Sequence, residues 1–168
     1  MQHKINSVRA LMKDNSIDLL VLGPGTHLRW LLGFSPPQDE RPSVLLIGKE
    51  KEIFLIPSVN AEDVRRKTDI KINIWKDENG PDQALKEALL YIDESSAKHI
   101  AIDEAMRSHF ALIVIDALPN PTHEFTGSTI GALRMRKDQT EFINLKENAL
   151  IDDRAMKAGF AAIKEGVT

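Results

Sequence analysis

Residues 17–22 read IDLLVL, almost wholly apolar, and stop abruptly at Gly23-Pro24-Gly25. A short apolar run bounded by such a turn is a strand buried on both faces. That requirement constrains the whole chain, because helices must then cover two sides of one sheet. The sequence supplies them in alternation. Ile5, Val8, Leu11 and Met12 share one helical face before the strand, and Asn15-Ser16 closes that helix. Beyond the turn, Thr26 is placed to cap a short helix with Leu28, Leu31 and Leu32 inward and Gly33 at its end. Residues 43–47 and 52–56 predict a hairpin about the charged turn Lys49-Glu50. Asn60 with Glu62 and Asp63 signals a short helix. Residues 70–75, IKINIW, alternate with period two and predict a strand with one wetter face. Gly80-Pro81 opens a helix with Leu85, Ala88, Leu89 and Ile92 inside, proline suiting the first helical position. Residues 99–103 predict a strand. Phe110, Ile113, Val114 and Ala117 mark a helix, and residues 122–126 a last short strand. The fold class is α/β: a three-layer-like α/β sandwich on a mixed sheet of about six strands.

The end of the chain differs in kind. Asp138, with Glu141 three residues on, makes a near capping box. Nothing stronger than Gly159 interrupts the helical pattern from there to Lys164, and Gly166 is placed as its terminator. About 27 residues at 1.5 Å each give a helix of roughly 40 Å. Its apolar stripe of Phe142, Leu145, Ala149, Met156, Phe160 and Ile163 calls for cover that the preceding segment is too small to provide. The division expected is a domain at 1–134 and, at 135–168, a linker and the first helix of a further domain.

Composition narrows the function. The net charge is -3, and the basic clusters 65–67 and 134–137 are short, as solvated surface would be. Neither nucleic acid nor an anionic membrane is an expected partner. With no cysteine, disulfides, thiol catalysis and cysteine-based metal sites are excluded. No apolar stretch approaches the roughly 20 residues of a membrane span, and the N-terminus lacks a signal-peptide core. A cytoplasmic protein is expected. The five histidines form no HExxH or i, i+4 pair. His27 and His99 are read as surface or cap residues before ligands, and no metal cage is expected. No G-x-S-x-G elbow occurs. Residues 21–33 (VLGPGTHLRWLLG) follow a strand and open a helix, but lack a third glycine, and Pro24 removes a backbone N–H that a phosphate would need. A tight strand-to-helix turn is the stronger reading.

The best candidates lie between the short helix and the hairpin. Asp39, Glu40 and Arg41 stand together in a loop stiffened by Pro36, Pro37 and Pro42. Prolines remove donors, so the segment cannot join a sheet ladder, and they lower the entropy cost of holding side chains in place. Such a loop is either a solvated connector or a device that presents charges. From the residues alone the connector is favoured.

Two stretches tip that balance. Residues 26–34, THLRWLLGF, resemble the N-I-x-Y-L-T-G-F element of the creatinase/prolidase family. Residues 133–168 resemble the family's inter-domain pattern, roughly L-R-x-x-K-x-x-x-E-[IL]-x-x-[LM]-x-x-A. Leu133, Arg134, Lys137, Glu141 and Leu145 match it directly, whereas Phe142 and Asn148 depart from it. Ile163, Gly166 and Thr168 match the I-x-x-G-x-T-E that closes the linking helix in that family. The resemblance implies an N-terminal α/β domain of a two-domain protein whose other domain carries the chemistry. In the family's Xaa-Pro peptidases two divalent metals, often manganese or cobalt, activate a bridging water, and all their ligands lie in that other domain. The expectation is therefore a non-catalytic, by itself inactive fragment, with no catalytic residue, metal ligand or cofactor of its own. Its implied partners are its own catalytic domain, a second copy in a homodimer, and a peptide with proline at the second position. Asp39, Glu40 and Arg41 are implied to gate substrate at a partner's active-site mouth, on a loop positioned by Gly33, Phe34, Pro36 and Pro37. Two other readings share this scaffold: a creatinase-like C–N hydrolase and a catalytically dead protein-binding module.

Overall fold

A computed structural model describes residues 2–166 of the 168. The chain divides into two compact units, Met1–Arg134 and Met135–Thr168.

The first unit is built on one six-stranded mixed sheet. Its strands are β1 (Leu19–Leu22), β2 (Val44–Ile47), β3 (Glu52–Pro57), β4 (Ile72–Trp75), β5 (His99–Ile102) and β6 (Thr122–Phe125). They lie in the order β4-β3-β2-β1-β5-β6. The hairpin β2–β3 is antiparallel, β2 runs antiparallel to β1, and the pairs β1–β5, β3–β4 and β5–β6 are parallel. Every residue of β1 and β2 is buried, as an apolar run without alternation requires.

The period of two sorts these strands onto two cores. Leu19, Val21, Leu46, Leu55 and Ile100 face α4 (Asp82–Tyr91) and α5 (Ser108–Asp116), which contribute Leu85, Leu89, Phe110 and Val114. Leu20, Leu22, Leu45, Phe54 and Ala101 face the other side. There they meet α1 (Gln2–Asp14), α2 (Thr26–Leu32), α3 (Ser58–Arg65) and Ile130 of α6 (Ile130–Met135). Each fully buried large apolar side chain contributes about 1.5–3 kcal/mol over its exposed state. This is the three-layer α/β arrangement expected.

Several boundaries differ from the sequence reading. Gly25, not Thr26, stands at the N-cap of α2, and no side chain caps that helix. α3 begins at Ser58, directly after Pro57, so Asn60 lies inside it and its amide bonds Asp39 instead. Pro81 is the N-cap of α4 rather than its first residue. A 3-10 turn at Thr126–Ser128 and the six-residue α6 were not foreseen.

The second unit holds α7 (Gln139–Ala162). Its start is a full capping box: Asp138 accepts from the Glu141 N–H at 2.8 Å, and the Glu141 carboxylate accepts from the Asp138 N–H at 3.1 Å. Gly159 leaves the helix intact, but α7 stops at Ala162, before Lys164, with Ile163 extended. Gly166 has a left-handed φ of 82° beyond the helix and does not terminate it. Phe142, Leu145, Met156, Phe160 and Ile163 are all exposed. Thr168, used in the resemblance, lies outside the described residues. Among the described residues no helix is long and apolar enough to cross a membrane.

Candidate functional site

The proline loop is pinned by the turn and strands that flank it. Gly33 ends α2 with φ 83°, and its N–H returns to the Arg29 carbonyl at 2.9 Å. This left-handed cap favours glycine. It turns Phe34 onto the sheet, where its ring lies 6.4 Å from that of Phe54. Ser35 Oγ accepts from the Gly25 N–H at 2.9 Å, and the Gln38 amide donates to the Pro24 carbonyl at 2.7 Å. The Trp75 indole N–H donates to the Pro42 carbonyl at 2.8 Å. Pro36 and Pro37 line a surface cleft of about 590 Å³ together with Gly25, Arg29 and Lys67.

The three charges are partnered within the domain. Asp39 accepts from the Arg41 N–H at 2.9 Å and from the Asn60 amide at 3.3 Å. The Arg41 guanidinium clasps Asp77 with contacts of 3.0–3.1 Å and reaches Glu40 at 2.9 Å. Its hydrogen bonds to Asp77 come first in raising its pKa above the ordinary arginine range. His109 Nε2 donates to the Glu40 carbonyl at 3.1 Å. The Glu40 side chain is the most open of the three, at 73% exposure against 34% for Arg41. The loop thus presents one accessible carboxylate, while its arginine is already engaged.

A second constellation escaped the sequence reading. His27, expected on the surface or at a cap, is 4% exposed and sits in a polar cluster at the carboxyl end of β5. Its Nε2 lies 3.1 Å from Thr126 Oγ1, 3.5 Å from Glu104 and 3.9 Å from Asp103. Its Nδ1 lies 2.9 Å from an Arg134 guanidinium nitrogen, which also donates to Thr26 Oγ1 at 3.0 Å. Thr126 in turn donates to Glu104 at 2.6 Å. Burial leads in pushing the Asp103 carboxyl above the usual range, against the Ala105 N–H at 2.9 Å and the nearby imidazole. Its second oxygen is buried with no hydrogen-bond partner among the described residues. Glu104 stays below the ordinary range: burial raises it, and the Thr126 and His27 contacts outweigh that. His99, the other histidine considered as a ligand, is half-buried at the start of β5, beside the Ser16 carbonyl and Glu124.

His27, Asp103 and Glu104 are close enough to share a cation, but the donor chemistry is wrong for one. A metal-bound imidazole donates its remaining N–H to an acceptor. Here an arginine, which only donates, occupies that nitrogen. The signal in the sequence was Asp103-Glu104 closing an apolar strand, the end of a parallel sheet where polar sites gather.

The chain belongs to the creatinase/prolidase N-terminal domain family, whose model matches residues 4–136. Its fold resembles a dipeptidase from Pyrococcus horikoshii OT3, at 24% identity and TM-score 0.82, over 95% of this chain and 44% of that one. It also resembles a prolidase from Thermococcus sibiricus, at 20% identity and TM-score 0.83, over 98% and 45%. Against the creatinase/prolidase N-terminal domain of an X-Pro dipeptidase from Streptococcus pyogenes the identity is 13% and the TM-score 0.67, over 74% and 94%. The chain thus spans less than half the length of the first two. No curated protein matches it in sequence.

Proposed function

We propose that these residues act as the non-catalytic N-terminal domain of a longer Xaa-Pro dipeptidase-like metallopeptidase, a hydrolase that cuts peptides with proline at the second position. The observation that carries the reading is coverage: the chain aligns along nearly its whole length with under half of a dipeptidase and of a prolidase. In this reading two divalent metals, manganese or cobalt, belong to the remainder of the parent protein. The one histidine–carboxylate cluster among the described residues opposes a cation through Arg134.

The domain's proposed work is to cap the active site and to support a homodimer. The pinned loop supports the capping role. Gly33 and Phe34 fix its root, its three charges are held in place, and Glu40 remains exposed to meet a substrate's amino terminus or a basic gate. α7 is proposed to be the first helix of the parent's catalytic domain, the rest of which would cover its bare apolar stripe. The compartment proposed is the cytoplasm.

A creatinase-like C–N hydrolase is the second reading, favoured by the family description, which names creatinase beside prolidase. The first test is direct. Purified residues 1–168, supplied with manganese or cobalt, release no proline from an Xaa-Pro dipeptide that the parent cleaves. Metal-dependent release by this chain alone would overturn the assignment of a non-catalytic domain.

A further inference from the structure

We infer that Arg29, in the cleft beside the proline loop, receives the carboxylate of a substrate whose last residue is proline. The inference rests on the proposal that this loop lies at an active-site mouth, and it adds the group that recognises the substrate's acidic end. An Xaa-Pro dipeptide carries an ammonium at one end and a carboxylate at the other. Glu40 is the exposed acid on the loop. Arg41 is engaged by Asp77 and Glu40, so a cation for the carboxylate has to come from elsewhere. Arg29 supplies it. It lies on the exposed face of α2, one turn before the Gly33 cap from which the loop starts. Its backbone is held on both sides: its N–H donates to the Gly25 carbonyl at 3.1 Å, and its carbonyl accepts from the Gly33 N–H at 2.9 Å. Its guanidinium has no hydrogen-bond or ion-pair partner among the described residues.

The cleft around Arg29 suits that end of the molecule. Its volume of about 590 Å³ lies within the range of small-molecule sites, about 300–1,000 Å³. Arg29 shares it with Pro36 and Pro37. The other polar groups there are engaged locally. Lys67 binds Asp63 at 2.7 Å, the Ser35 hydroxyl donates to the Pro36 carbonyl at 3.0 Å, and the Gln38 amide donates to the Pro24 carbonyl. Lys67 and Asp63 cancel in charge, so Arg29 gives the cleft one uncompensated positive charge. A guanidinium is a permanent cation whose planar fork of donors matches a carboxylate in a bidentate pair. In a C-terminal proline the pyrrolidine ring and the carboxylate belong to one residue. The ring then packs against the proline wall while the carboxylate meets Arg29. Fixed φ angles give that wall a set shape, which lowers the entropy cost of holding the ring.

The test uses the full-length parent. Kinetics with Ala-Pro are set beside competitive inhibition by Ala-Pro amide, which keeps the ring and lacks the carboxylate. Arg29→Gln is expected to raise KM for Ala-Pro by more than about tenfold and to leave the Ki of Ala-Pro amide within about twofold of native. Arg29→Lys keeps the charge without the fork and should recover part of the KM. Because Arg29 is exposed and has no side-chain partner, both variants should fold. An unchanged KM in Arg29→Gln would overturn the inference. So would equal shifts for Ala-Pro and its amide, which would mark a general disturbance of the loop. Where the amide does not inhibit at all, recovery by Arg29→Lys decides. Glu40→Ala, measured alongside, separates this claim from the capping role. If Glu40→Ala lowers kcat/KM while Arg29→Gln changes nothing, the capping role stands and Arg29 is merely solvated. If neither variant changes the kinetics, both claims fall.

Discussion

At Gly33 the backbone sits at φ 83° with open space where a Cβ would go. Alanine there costs conformation only, about 1 kcal/mol. At Gly23 a Cβ would lie 2.5 Å from Met106 Cβ, so Gly23→Ala forces β1 away from the β5–α5 loop. We expect it to lose more, about 1–3 kcal/mol by urea denaturation. That contact bears out the tight turn read from Gly23-Pro24-Gly25. Asp103 supplies a pH signature. Burial keeps its carboxyl protonated to higher pH in the fold than in the unfolded chain. The fold therefore holds the extra proton between those two values, and stability falls as pH rises through that window. Asp103→Asn lacks this loss, so its stability relative to the native chain should improve as pH rises above the ordinary aspartate range. An unchanged difference would place Asp103 in an ordinary carboxylate environment. The proline-loop residues were legible because their neighbours in sequence announce them. His27 was not: Thr126 and Arg134 follow it by 99 and 107 residues, and no local pattern carries so distant a partner.

Among the elements, those with a strong period or an apolar run were legible. β1 was placed by IDLLVL, α1 by its single apolar face, and the β2–β3 hairpin by two runs about a charged turn. α6 was missed because six residues give less than two helical turns of pattern, and its packing rests on Ile130 alone among its buried residues. The end of α7 was misplaced because Gly166 is a local stop signal, whereas the helix ends where Ile163 turns extended. Its start was legible, since a capping box is written in four consecutive residues. The box should be measurable on its own. Asp138→Ala is expected to cost about 1 kcal/mol and to fray the first turn of α7. Faster amide exchange at Glu141 would report this, and an unchanged rate would deny the cap any role.

For the whole molecule, the sheet and its two helical layers are those of a creatinase/prolidase N-terminal domain. The proposed capping role depends on the loop from Ser35 to Arg41, where local sequence marks the position of the charges but not their pairing. Arg41, one of the three residues implied to gate substrate, is bound by Asp77, a residue 36 positions away. Glu40, though it also meets Arg41 at 2.9 Å, is the most exposed of the three charges, so the loop's proposed task rests on the glutamate. The most direct test is kinetic, on the full-length parent carrying Asp39→Ala, Glu40→Ala or Arg41→Ala singly. The capping role predicts that Glu40→Ala lowers kcat/KM for an Xaa-Pro dipeptide by more than about tenfold, with smaller losses for the other two. If all three stay within about twofold of the native enzyme, the loop is a solvated connector and the capping role is wrong.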